Sequence, residues 1–251
     1  MRVFAVVSFV ALAGYAVPSE ATAAPVFLGP TPYLSAADSP FDLSSPGSTF
    51  HLEDFEDGEL NTPGIHQLPP GALNATVMDP SPTTDSVDAD DGTIDGSGTA
   101  GHSFAAGPAV SVFTDPPTLY WTIYFEFDAQ ELGFLPNAFG FVWTDGSPNS
   151  RVTIELIDEN FDVVASHQYA EVFGDDVYTG TTPEDRFLGV ISDQGIRRVR
   201  ITSSHSGDGP PLEIDHVQYG LVPEPSAMAL FAVALFMAGC GARRSSRRRS
   251  A

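Results

Sequence analysis

Hydrophobic and polar positions alternate most clearly between Leu119 and Asp128. Leu119, Trp121, Ile123, Phe125 and Phe127 fall on one side; Tyr120, Thr122, Tyr124, Glu126 and Asp128 fall on the other. A period of two is the mark of a strand with one face buried. The same period recurs from Arg151 to Asp158, where Val152, Ile154 and Leu156 point inward. Asp158-Glu159-Asn160 then turns the chain into Phe161–Tyr169, which predicts a hairpin. Shorter strand signals lie at Thr49–Phe55, His102–Ala106, Ala109–Phe113, Ala138–Thr144, Arg186–Ser192, Gly195–Thr202 and Pro211–Gly220. Between the two terminal segments no stretch of ten residues carries a helical period.

Many short strands separated by Gly, Pro and Asp turns predict an all-β fold. The expected architecture is an antiparallel β-sandwich of the jelly-roll or lectin-like kind, spanning residues 49–222. Residues 24–48 contain Pro25, Pro30, Pro32, Pro40 and Pro46, and are expected to form a flexible Pro/Ser-rich leader. Residues 60–100 read as a long loop, punctuated by proline and acidic from 85 to 95, with room for short strands that their own pattern does not reveal.

The two ends follow other rules. Arg2, the apolar run Val3–Val17 and the small-residue site Ala21-Thr22-Ala23 form the pattern of a secretory signal peptide, residues 1–23, cut after Ala23 by signal peptidase. At the other end, residues 223–251, Pro223-Glu224-Pro225 precedes an apolar run, Ala227–Ala242, that predicts a transmembrane helix. Arg243, Arg244, Arg247, Arg248 and Arg249 close it. Five of the chain's 11 basic residues lie there, and the positive-inside rule keeps them cytoplasmic. A run of 16 residues is slightly short for a span, and Arg243 and Arg244 can snorkel to the interface.

This tail resembles the PEP-CTERM sorting signal of exported bacterial proteins, element by element: the Pro-Glu-Pro motif, the apolar helix and the arginine cluster. The resemblance covers about 29 residues and says nothing of the rest. It implies an exosortase as partner and a Gram-negative source that makes extracellular polysaccharide. It also implies anchorage in the inner membrane during sorting, then residence at the cell surface or in the matrix. A permanent single-pass anchor is the plainer alternative; both place residues 24–222 outside the cytoplasm.

Composition narrows the partners. The formal charge is −22, and the chain has no lysine. Nothing could neutralise a phosphate backbone, so nucleic acid is excluded as a partner. The one cysteine, Cys240, lies in the tail, so residues 24–222 contain no disulfide and no thiol nucleophile.

Such acidity directs attention to cations. Glu53-Asp54-Phe55-Glu56-Asp57-Gly58-Glu59 packs five carboxylates into seven residues, which repel one another unless they are screened or bound to a cation. Calcium takes six to eight oxygens in irregular geometry. This segment near the start and Ile214-Asp215-His216-Val217 near the end resemble the pairing of first and last strands that supplies structural calcium in lectin-like jelly-rolls. That resemblance implies Glu53, Glu56 and Asp215 as ligands and calcium as the cofactor. A second acidic run, Asp85–Gly96, fails the EF-hand template, because from Asp88 position 5 is Gly92 and position 12 is Thr99.

For carbohydrate contact the candidates are Trp143, Asp145, Asp185 and Arg186. Trp143 precedes a turn, whereas Trp121 sits on the apolar face of its strand. Asp185 and Arg186 can each fork to hydroxyls or pair with one another. Arg198 and Arg200 share a face and are expected to neutralise nearby acids. Catalysis has little support: there is no HExxH zinc spacing, no Gly-x-Ser-x-Gly elbow and no phosphate-binding loop. The sequence therefore leads to an exported, non-enzymatic surface or matrix protein associated with extracellular polysaccharide. A calcium-dependent carbohydrate-binding adhesin is the alternative, and a secreted glycoside-active enzyme the third reading.

Overall fold

The computed structural model describes residues 23–68, 75–81, 84–87, 101–106, 108–111, 118–144, 150–170, 185–206 and 212–223. The chain is all-β. Its strands are β1 (Val26–Pro32), β2 (His51–Glu53), β3 (Ile65–Gln67), β4 (Ala75–Met78), β5 (Ser103–Ala106), β6 (Pro108–Ser111), β7 (Thr118–Phe127), β8 (Ala138–Trp143), β9 (Arg151–Ile157), β10 (Val163–Ala170), β11 (Arg186–Ile191), β12 (Arg198–Ser206) and β13 (Glu213–Gly220). One helical turn, α1 (Ala129–Leu132), follows β7. No helix among the described residues is long and apolar enough to cross a membrane. Residues 1–22 and 224–251, with the expected signal peptide and transmembrane helix, lie outside the described residues.

Among the described residues, two antiparallel sheets form. Sheet A has seven strands in the order β1-β11-β8-β13-β5-β4, with β2 also on β13; sheet B has six, β10-β9-β12-β7-β3, with β6 also on β7. The sheets share one core. Sheet B gives Trp121, Ile123, Phe125, Phe127, Val152, Ile154, Val199 and Ile201; sheet A gives Phe139, Phe141, Trp143, Leu188, Val190, Ile214, Val217 and Tyr219. Inward side chains of the two sheets meet as in a β-sandwich.

The sheets differ on their outer faces. Sheet B has one face in the core and one polar, which explains the clean alternation of β7 and β9. The centre of sheet A is buried on both: every residue of β8 and β13 is buried. Its outer face carries a second apolar cluster, where Tyr33, Phe41 and Val87 pack on Ala138, Val142 and Phe187. Strands covered on both sides read as continuous apolar runs, as Ala138–Trp143 does.

Residues 24–48, expected to be a leader with little structure, supply much of this cover. β1 is an edge strand on β11, with Val26 opposite Ile191 and Pro32 opposite Arg186. Tyr33 is fully buried and Phe41 is stacked on Phe50 at 4.7 Å. The prolines of this segment are compatible with a strand because an edge strand tolerates residues that cannot donate on its open side. Glycine makes room for the cover. Gly140 and Gly189 face one another across β8 and β11, and a Cβ on Gly140 would lie 2.3 Å from the Phe187 ring.

Candidate functional site

The acidic run at 53–59 folds into a tight loop, and its carboxylates build that loop. Glu53 accepts from the backbone N–H groups of Phe55 (3.1 Å), Asn61 (2.9 Å) and Thr62 (2.9 Å). Asp54 and Asp57 each cap an N–H two residues on, at Glu56 and Glu59. Phe55, at φ 58°, is thereby turned into the core against Phe104, 5.2 Å between centroids. Glu56 ties two distant segments together, accepting from Ser86 Oγ (3.2 Å) and His102 N (2.7 Å).

Asp215 has a parallel role on the outer face of sheet A. Its Oδ2 accepts from Val87 N at 2.9 Å, and Oδ1 from His216 N at 2.6 Å. Two residues earlier, Glu213 accepts from Asp85 N (2.9 Å) and from Ser103 Oγ. The two carboxylates of β13 thus hold the backbone of residues 84–87. Burial pushes the Glu213 carboxyl up to about 7, against the bonds from Ser103 and Asp85 that favour its charged form. Farther along β13, Gln218 donates to Tyr33 Oη (2.9 Å), which also meets His216 Nδ1 (3.0 Å), and Ser39 Oγ donates to Gln218 at 2.5 Å.

Glu53, Glu56 and Asp215 therefore have separate jobs. Among the described residues, the group of three metal-ligating side chains whose ligand atoms all lie within 4.8 Å is a different one: His66, Asp128 and Glu131. It is an exposed group at the edge of sheet B. Asp128 caps Gln130 N of α1, and Glu131 accepts from Gly64 N at 3.0 Å.

Of the expected carbohydrate contacts, Trp143 and Asp185 are buried. Trp143 lies in the core between the sheets, 1% exposed, because the residue before the turn still follows the inward period of β8. Asp185 is fully buried at the head of β11, and Arg186 turns its Nη1 to the Asp185 carbonyl at 2.7 Å. Asp145 lies outside the described residues, as do Glu224, Pro225 and the arginines from 243 onward.

Among the described residues, the outer face of sheet B is a polar surface, open at its strand ends and edge and closed at Thr122 and Arg198, each 8% exposed. Strand pairing sets its side chains in rows across four strands. One row runs Ala170, Arg151, Ser204, Tyr120; the next runs Gln168, Thr153, Thr202, Thr122; the third runs Ser166, Glu155, Arg200, Tyr124. A fourth runs Ile157, Arg198, Glu126, His66. Most of these side chains are already tied to one another. Arg200 Nε bonds the Glu155 carboxylate, and its Nη1 donates to Tyr124 Oη at 3.0 Å. Both bonds raise the Arg200 pKa, against the desolvation that opposes it. Thr122 and Thr202 hydroxyls meet at 3.3 Å, and Gln168 donates to Thr153 at 3.4 Å. Arg198 pairs with Glu126 at 2.7 Å and lies 4.0 Å over the Phe161 ring. The sequence showed this polar stripe on each strand but not the register that joins the stripes into one face.

No family model matches the chain, and no curated protein matches it. Among solved structures it is similar to the enzymatically active domain of tailspike protein 4 of bacteriophage CBA120, at 18% identity and a TM-score of 0.34. The match covers 67% of this chain and 20% of the tailspike chain.

Proposed function

We propose that the chain is an exported, non-enzymatic protein of the cell surface or extracellular matrix, sorted by an exosortase-type system and associated with extracellular polysaccharide. The observation that carries this reading is the ordered C-terminal pattern: Pro223-Glu224-Pro225, then the apolar run 227–242, then the arginine cluster. The charged, apolar and small-residue series at 1–23 supplies the export step that such a signal requires. Two features of the folded part support a jelly-roll of lectin type: the sheets share one core, and neighbours in sheet A, such as β1 with β11 and β5 with β13, are far apart in sequence.

The test is fractionation of cells that express the full chain or a chain lacking residues 223–251. The full chain should sediment with membranes in a host without an exosortase. In a host that has one, it should lose mass corresponding to a cut near Pro223. The truncated chain should be soluble outside the inner membrane. A truncated chain that still sediments with membranes would overturn the sorting reading.

A further inference from the structure

We infer that the outer face of sheet B is the surface that meets polysaccharide, and that its ligand is an uncharged, hydroxyl-rich chain laid across β10, β9, β12 and β7. The inference rests on the polysaccharide association proposed above and gives that association a site and a ligand class.

Three observations carry it. The first is chemical. The central row, Gln168, Thr153, Thr202 and Thr122, is flanked by Ser204 on one side and by Ser166, Tyr124 and Arg200 on the other. Hydroxyl and amide groups both donate and accept, as sugar hydroxyls do. Tyr120 and Tyr124 stand four residues apart on β7, roughly 14 Å at the rise of an antiparallel strand. Tyr120, 36% exposed, offers ring surface to the apolar side of a sugar.

The second is order. The Arg200–Glu155–Tyr124, Thr122–Thr202 and Gln168–Thr153 contacts hold these groups before anything binds. A ligand then meets side chains that already have partners, which lowers the cost of ordering them on association.

The third is charge. The chain is at −22, yet this face gathers four arginines (151, 198 and 200, with Arg197 Nε 3.6 Å from Glu126) against Glu126 and Glu155, with Glu131 beside His66 at its edge. Arg198 and Arg200 are both engaged by those glutamates. A face close to neutral suits a neutral polymer, whereas a polyanion must approach a strongly acidic molecule.

The test is native affinity electrophoresis of the full chain in mild detergent, in gels cast with a neutral glucan, a neutral galactomannan or a polyuronate. The wild type should be retarded by at least one neutral polymer, with little dependence on salt. Tyr120→Ala should weaken retardation roughly tenfold, the equivalent of about 1.4 kcal/mol. Thr153→Glu, which adds a carboxylate beside Glu155, should abolish it. Gln168→Ala on the exposed edge strand should weaken it without a change in thermal unfolding. Val26→Ala, on the edge of the other sheet, should leave it unchanged. If the wild type is retarded and the face variants equally so, polysaccharide association stands and this face is wrong. Stronger retardation by the polyuronate would overturn the ligand class. If no polymer retards the wild type, the face and the polysaccharide association both fail, while export and sorting remain to be judged by fractionation.

Discussion

Glu213 shows what a carboxyl does when a sheet is covered on both faces. It lies on the outer side of β13, 1% exposed, and still accepts from Asp85 N and Ser103 Oγ. Its pKa stands near 7 because burial outweighs those bonds. The unfolded chain would ionise it near the ordinary glutamate value of about 4.5. The folded state therefore binds more protons between those values, so this group's contribution falls as pH rises from about 4.5 through 7 and is level above. The full swing is on the order of 3 kcal/mol. Glu213→Gln keeps an acceptor for both donors and removes the ionisation. Melts at pH 5 and pH 8 should show the variant gaining on the wild type at the higher pH, and an unchanged difference between the two proteins would contradict the raised pKa. Trp143 makes the complementary case. As a core side chain its replacement by Ala should cost roughly 3–5 kcal/mol of unfolding free energy, read as a lower denaturant midpoint. A small change would mean that the ring is not packed between the sheets.

At the scale of elements, long strands with one solvated face were legible and covered or borrowed ones were not. The alternation of Leu119–Asp128 became β7, and the Asp158-Glu159-Asn160 turn joins β9 to β10 as an antiparallel hairpin. β1, β3 and β4 are not legible in the sequence because their own residues do not specify them. β3 is three residues whose partner is the far end of β7, and β1 is interrupted by Gly29 and Pro30. Their stability is tertiary: each completes the edge of a strand already in place. The same blindness applied to the site. The outward positions of β7, β9 and β12 were visible one strand at a time, but only pairing places Glu155 and Tyr124 on either side of Arg200. The cover on sheet A yields a prediction of its own. Deleting residues 24–48 removes β1, Tyr33 and Phe41, leaving Val142 and Phe187 exposed. The shortened chain should lose its cooperative transition. Phe41→Ala, which leaves the strand in place, should instead lower stability by roughly 3–5 kcal/mol with the transition intact. A cooperative melt at the wild-type midpoint for the deletion would show that the N-terminal layer is dispensable.

The molecule as a whole carries its charge unevenly, and that decides how cations should act on it. Its acidic run at 53–59 forms turns through its own carboxylates, and Asp215 accepts from two backbone N–H groups. With these groups already serving the fold, the chief effect of added divalent ions on a chain at −22 is to screen repulsion. Calcium and magnesium at equal concentration should therefore raise the melting temperature by similar small amounts, and sodium chloride at matched ionic strength should approach them. A built calcium site behaves differently. At a hundredfold excess over its dissociation constant it stabilises by about 2.7 kcal/mol, several degrees for a domain of this size. A rise found with calcium alone, absent in chelator and lost on Asp215→Asn, would establish calcium as a structural cofactor. Loss on Asp128→Asn instead would assign the ion to the exposed group with His66 and Glu131 at the edge of sheet B.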